Sequence, residues 1–289
     1  MTATPVRPYV YITAMTLPSI GAIESYLDDI GAHEWHFNDD LYNWHDDVEK
    51  LIEFAGRVCY KSFGAGLNPN ISKVRGDPAA YIANIIESGH GSVLEHVSVQ
   101  FTLRNVSRVF THELVRHRHG AFSQQSMRYV RLEDINYTIP TSFGSLLPPS
   151  MEDTDPDEQQ EWWNGMADWF GHKMAIMSEW QEELAALWEI DKIKDFHTKK
   201  LLTSDFRRLA PHGVATDIVW TTNLRELRHV IEMRTAIGAE AEMRQVFGYI
   251  AVECQNRFPK AFADMSIDLP AIEDDPLQLN VATFKYHKV

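Results

Sequence analysis

The sequence predicts an α+β fold, a mixed sheet with several long helices in a single domain. Three observations carry that expectation. Val97, Val99, Phe101 and Leu103 alternate with Ser98, Gln100, Thr102 and Arg104, the period of a half-buried strand. Residues 8–15 and 213–222 are further short runs of β-branched and aromatic residues that suit strands. The helical stretches between them keep no regular strand–helix–strand rhythm, which points away from a parallel α/β sheet. No internal repeat or low-complexity linker divides the 289 residues, enough chain to bury a sizeable core.

Taken in order, residues 8–15 form the first strand and 16–46 a loop-rich lead-in with a short helix at Ile20–Asp29. Asp46 or Asp47 caps a helix running to about Ser62, with Val48, Leu51, Ile52, Ala55 and Val58 along one stripe. Residues 63–77, with their Gly, Asn and Pro, are a connection. Pro78 opens the next helix, which carries Tyr81, Ile82, Ile85 and Ile86 and stops at Gly89. The strand at Val97–Arg104 leads to a helix from about Val106 to His117, and a loop crosses Gly120. Residues 132–157 read as loop, with an acidic solvated run, and a long helix covers Asp157 to about Glu189. Its Met166, Trp169, Met174, Ile176 and Met177 suit core or interface packing. A helix over about 192–209 precedes the strand at 213–222; Asn223 then caps a helix to about Ala236, and a last helix spans 239–257. The tail from Pro259 reads as irregular.

Composition narrows the function. Hydrophobic residues at 44% and charged residues at 24% are ordinary for a globular protein. No apolar run reaches the roughly 18 residues of a membrane helix, and the N-terminus lacks a secretory pattern, so a cytoplasmic location is expected. Cys59 and Cys254 make neither a disulfide framework nor a zinc site and are expected in the core. A net charge of −14 argues against nonspecific nucleic-acid binding.

Against that background one stretch stands apart. Residues 104–131 hold Arg104, Arg108, Arg116, Arg118, Arg128 and Arg131, no lysine, and one acid, Glu113. Such a surplus of forked guanidinium suits a small multiply charged anion. Arginines near a helix end also complement its negative pole, so the cluster by itself leaves a structural role open. His112-Glu113 begins a zinc-protease pattern, but Arg116 stands where the second histidine belongs. Glu95-His96 ends the inverted pattern with Ser92 at its first position. No nucleophile elbow surrounds Ser126, and neither a dinucleotide fingerprint nor a Walker loop is present. No metal is expected.

Arg116-His117-Arg118, seven residues, then Ser126 has the form RHR-x7-S and continues through Arg128 and Tyr129. On this signature the chain resembles the flavin-dependent thymidylate synthases. The segment His90-x-Ser92…Glu95-His96, the Arg207-x3-Pro211 pair and the set Asn223-x-Arg225…His229…Arg234 resemble further motifs of that family. The likeness covers about residues 48–258 as a single domain of that fold, with 1–47 an N-terminal extension packed on the core and 259–289 a C-terminal tail.

The resemblance implies conversion of dUMP to dTMP, with the one-carbon unit from 5,10-methylenetetrahydrofolate, FAD as redox carrier and NADPH as its reductant. It implies dUMP contacts from Arg108, Glu113, Leu114, Val115, Arg116, Gln124, Gln125, Ser126, Met127, Arg128, Arg207 and Arg234. FAD contacts are implied for His90, Ser92, Arg116, His117, Arg118, Gln124, Asn223, Arg225 and His229. Arg234 is expected to stabilise charge developing on the pyrimidine. Ser126, the other expected catalytic residue, is favoured as a hydrogen-bond donor over a nucleophile because no general base is evident. Glu95 and His96 read as structural, and Gly238 stands where the family often has a flavin-touching histidine. Sites shared between subunits imply a homotetramer, with Arg207 reaching dUMP from a neighbouring subunit; membrane and nucleic-acid partners are not expected. The alternative is a catalytically degenerate nucleotide-binding or regulatory relative.

Overall fold

The structure, a computed structural model, describes residues 3–35, 44–64, 66–71, 74–129, 136–287 and 289, with the backbone alone at 44–47. Arg131 and the side chains of Asp46 and Asp47 therefore lie outside the described residues. The chain begins with strands β1 (Thr4–Val6) and β2 (Tyr9–Met15) and helices α1 (Ile20–Asp29), α2 (Trp44–Tyr60) and α3 (Pro78–Glu87). A 3-10 turn, Gly91–His96, leads into β3 (Ser98–Ser107), α4 (Arg108–Leu114), β4 (Gly120–Gln124) and β5 (Asn136–Thr138). Then come α5 (Pro156–Leu187), α6 (Phe196–Phe206), β6 (Ala215–Asn223), α7 (Leu224–Thr235), α8 (Ala241–Arg257), β7 (Met265–Asp268) and β8 (Val281–Phe284).

The central sheet has the order β2-β3-β6-β4, and every pairing in it is antiparallel; among the described residues parallel pairing is confined to the small β1–β5 pair. Alternation sets which face is buried. Val99, Phe101 and Leu103 of β3 and Ile218 and Trp220 of β6 point into the core, with Phe101 opposite Trp220 and their rings 5.7 Å apart. Onto this face pack α4, α7 and α8, with Phe247 of α8 against both Phe110 and Trp220.

Several expectations change. The helix after β3 is shorter than its apolar period suggests, because β3 runs on to Ser107 and the helix stops at Leu114. Asn105 adopts a left-handed φ of 58° at a register shift in the β3–β6 pair, and its N–H is taken up by Asp217 Oδ1 at 2.9 Å. That kink ends the strand two residues later, where Ser107 Oγ accepts the Phe110 N–H and caps α4. The loop expected at Gly120 is the start of edge strand β4. A side chain there would meet Trp220 Nε1 at 2.7 Å and the Thr221 carbonyl at 2.9 Å, so only glycine lets the strand pair.

On α2 the buried stripe is not purely apolar. Glu53 and Arg57 are buried as a pair while Val58 is exposed. Cys254 is in the core as expected, but Cys59 is exposed because it follows Val58 on the outer side of α2. The tail from Pro259 is ordered rather than irregular. β7 and β8 pair, and Ala261, Phe262, Met265, Ala282 and Phe284 join the main core. Two buried forks fasten it: Arg228 to Asp264 (2.8 and 2.9 Å) and Arg244 to Asp275 (2.9 and 2.5 Å). Of the residues expected to pack on α5, Met174 is buried and Trp169 is exposed. Among the described residues no helix is long and apolar enough to cross a membrane, and no cluster of His, Cys, Asp or Glu could hold a metal.

Candidate active site

Arg234 lies in the last turn of α7, where a cation opposes the helix's negative pole. It donates from Nε to His117 Nε2 (2.7 Å), from Nη1 to Glu113 Oε2 (2.8 Å) and from Nη2 to the Glu113 carbonyl (3.4 Å). Among the described residues those contacts use three of the five guanidinium donors and leave the others to meet a ligand. An imidazole nitrogen that accepts a hydrogen bond carries no proton, so His117 is neutral, with its proton on Nδ1. Burial pushes the His117 pKa down to about 4, and the charges of Arg234 and His229 act the same way. Arg234 is thus held by one carboxylate and one neutral ring.

A second group gathers where α4 begins. Arg108, the first residue of α4, donates to the Gln125 carbonyl at 3.0 Å, while its Nε is buried without a partner among the described residues. Arg128 also keeps a buried Nε without a partner among the described residues. Burial lowers the Arg108 pKa from its ordinary value and the nearby charge of Arg207 lowers it further. Within one chain the charge of Arg207 already bears on Arg108. Among the described residues no carboxylate pairs with Arg108, Arg128 or Arg207. Guanidiniums crowded without a counter-ion repel one another until an anion arrives, the arrangement of a phosphate site.

Around this cluster, Ser126 Oγ accepts the Arg128 N–H at 3.3 Å, and Gln124 Nε2 donates to Thr111 Oγ1 at 2.9 Å. Gln125 anchors its own N–H on the Asp217 carbonyl at 3.0 Å. Met127 is half-buried beside them. Among the described residues no imidazole or carboxylate bonds the Ser126 hydroxyl. Leu114 is fully buried and Val115 exposed, so from Leu114 only the backbone can face a ligand.

The third group surrounds a cavity of about 370 Å³ whose lining includes Asn223, Arg225, His229, Glu95 and His119. Asn223 Oδ1 caps α7 by accepting the Glu226 N–H, and Arg225 pairs with Glu95 at 2.5 Å. Glu95, read from sequence as structural, is therefore the partner of an expected cofactor residue. Gly91 fits only because it lacks a side chain, whose Cβ would meet Arg225 Nε at 2.9 Å. Tyr286 and His287 line the same cavity, and His287 Nδ1 lies 2.8 Å from Glu232. No sequence signal marked them, since they belong to the segment read as irregular. His90 and Ser92 are exposed on the turn beyond, and His90 belongs to a different cavity.

Exposed Arg116 and Arg118 have no carboxylate partner among the described residues. With the cavity and the Ser92 hydroxyl they supply the donors a phosphorylated cofactor requires, so the residues present fit a flavin nucleotide. At Gly238 an added Cβ would meet nothing within 4 Å, so the departure there leaves open space beside exposed Ile237.

The fold and site define an α+β protein with one guanidinium fixed by a neutral imidazole and a separate, unneutralised arginine cluster for an anion. Residues 40–260 match the family described as Thymidylate synthase complementing protein (Thy1), and the chain belongs to that family. It is 36% identical over 231 residues to the flavin-dependent thymidylate synthase of Mycobacterium avium, covering 78% of this chain and 83% of that one. Against the enzyme of the same name from Corynebacterium glutamicum the identity is 33% over 232 residues, with 78% and 84% covered. Among solved structures, the UMP/dUMP methylase PolB from Streptomyces cacaoi, bound with 5-Br UMP, superposes with a TM-score of 0.56. That match covers 91% of this chain and 96% of that one at 16% identity, a likeness of fold.

Proposed function

We propose that this protein is a flavin-dependent thymidylate synthase that methylates dUMP to dTMP in the cytoplasm. The one-carbon unit is drawn from 5,10-methylenetetrahydrofolate, and NADPH reduces a bound FAD. The observation that carries the reading is Arg234 held between Glu113 and neutral His117 with donors to spare. Uracil C5 is a weak nucleophile until charge is drawn into the ring. A pre-positioned guanidinium at the base stabilises that charge without reorganising as it develops. Arg108, Arg128 and Arg207 hold the phosphate, the backbone and hydroxyl donors of Gln124–Arg128 orient it, and Ser126 donates a hydrogen bond. Flavin, when bound, supplies the reducing equivalents that convert the transferred methylene to methyl. His90, Ser92, Arg116, Arg118, Asn223, Arg225 and His229 hold it, while His117 positions Arg234 at the base. A homotetramer is part of the same proposal, and Trp169 and Trp180, which α5 leaves exposed, are apolar surface that a subunit contact would cover.

The test is anaerobic. Protein reduced with NADPH should lose flavin absorbance and then form dTMP when dUMP and methylenetetrahydrofolate are added. Bound, reducible flavin without dTMP would identify a degenerate nucleotide-binding relative instead. Arg234→Ala should fold normally and keep its flavin spectrum, yet lose about a hundredfold to a thousandfold in turnover; near-normal dTMP formation would remove Arg234 from the mechanism. Ser126→Ala should weaken dUMP binding by about 0.5–1.5 kcal/mol and leave chemistry running. Complete loss of turnover at unchanged dUMP affinity would make Ser126 a nucleophile.

A further inference from the structure

Tyr60, the last residue of α2, carries no role in the signature and lies outside every motif that marks the family. Its hydroxyl stands 2.7 Å from His90 Nδ1, and the two rings lie 5.3 Å apart at 34°. Both residues line a second cavity, of about 380 Å³, together with Asn84 and Ile85. His90 is itself fixed at the start of the Gly91–His96 turn, its N–H donating to the Ile85 carbonyl at 3.0 Å.

We propose that Tyr60 is a positioning residue that sets the tautomer of His90 and so determines which hydrogen-bonding group His90 presents to the flavin ring. Burial pushes the Tyr60 phenol up from its ordinary value, with Cys59 adding to the effect, so the hydroxyl stays protonated; in the proposed arrangement it is the donor of the 2.7 Å bond, whereas the opposite tautomer of His90 would donate to it. Among the described residues its hydrogen-bond partner is His90 Nδ1. A nitrogen that accepts this proton must be the unprotonated one of a neutral imidazole, which places the ring proton on Nε2. His90 then offers an N–H donor, and the ligand edge it matches is an acceptor, such as the carbonyl or ring-nitrogen edge of an isoalloxazine. The packing of the phenol against the imidazole holds that donor in one direction. The ligand part of this inference rests on His90 facing flavin, as in the reading above; the tautomer part does not.

Tyr60→Phe removes the hydroxyl and keeps the ring. With histidines labelled by ¹⁵N and His90 assigned by loss of its signals in His90→Gln, the flavin-free protein should show His90 as the Nε2–H tautomer. Tyr60→Phe should shift that population toward a mixture. Flavin titration should then show about a threefold to tenfold weaker affinity in Tyr60→Phe, the effect of one hydrogen bond lost through its positioning partner. A predominant Nδ1–H form in the unsubstituted protein, or the same tautomer population in both proteins, would overturn the inference. A changed tautomer with unchanged flavin affinity would overturn the presentation of Nε2–H to flavin. Failure of the unsubstituted protein to bind flavin would count against the proposed function, and the tautomer measurement would still decide the role of Tyr60.

Discussion

Arg228 and Arg244 are buried, Arg108 and Arg128 half-buried, and among the described residues all four leave Nε without a partner. What separates them is the carboxylate. Arg228 and Arg244 each close a two-pronged fork on an aspartate, and Arg228 also lies 4.3 Å over the Phe284 ring. Arg108 has one carbonyl and the field of Arg207, and no carboxylate among the described residues. A buried, paired guanidinium is a fixed part of the core, and removing one partner leaves the other charge stranded. A guanidinium kept from any counter-ion is destabilising until something outside the chain neutralises it. Arginine content alone therefore distinguishes nothing; the partners do. Arg234 stands between the two kinds, tied to Glu113 on one side and open on the other.

The largest effect is expected in the paired set. Asp275→Ala should strand Arg244, whose side chain is 1% exposed, and lower stability by about 3–5 kcal/mol. Nucleotide affinity per folded molecule should not change. Denaturant unfolding and a binding titration on the same sample separate the two quantities. A loss of affinity with little loss of stability would place this fork in the site and erase the distinction drawn above.

Arg128→Ala is the counterpart and should move the other quantity. It should weaken dUMP by about 1.5–3 kcal/mol, the range for hydrogen bonds to a charged group, and leave the melting temperature unchanged or higher. Uridine compounds without the phosphate should bind equally to both proteins. If Arg128→Ala unfolds the chain, the arginine cluster is structural after all.

How far the sequence reaches follows the same division. The strands at 8–15, 97–104 and 213–222 and the helices opened by Pro78 and Asn223 are local, because period-2 alternation, an N1 proline and an Asn cap act within a few residues. The site cluster was readable because Arg116, His117, Arg118, Ser126 and Arg128 lie in one short motif. The Arg57–Glu53 pair was within reach too, being i and i+4 on α2. The forks Arg228–Asp264 and Arg244–Asp275 span 36 and 31 residues and bind a segment with no periodicity of its own. Nothing local announces such a pairing, and so Tyr286 and His287 could not be placed beforehand on the cavity that Asn223, Arg225 and His229 line. The edge strand β4 was hidden for a different reason. Its glycine reads as a turn, while its function is to pass close to Trp220.

The smallest effect should appear in the pH dependence of stability, where two of the buried titrating groups, His117 and Glu242, pull in opposite directions. His117 has its folded pKa held near 4, below the ordinary 6.5. Below pH 6.5 the unfolded chain takes up a proton that the folded chain refuses, so the stability His117 contributes is lost as pH falls from about 6.5 through 4. Glu242 behaves conversely. Burial raises its pKa to about 7 from 4.5, against the hydrogen bonds from Ser107, so its contribution is lost as pH rises through that window. Near neutral pH the first is intact and the second nearly exhausted. His117→Gln keeps an acceptor for Arg234 Nε and removes the titration. Its melting temperature should then climb as pH falls from 6.5 toward 4.5, where the unsubstituted protein stays flat or declines. Parallel melting curves for the two proteins across that range would show that His117 is not the group holding Arg234 in its neutral form.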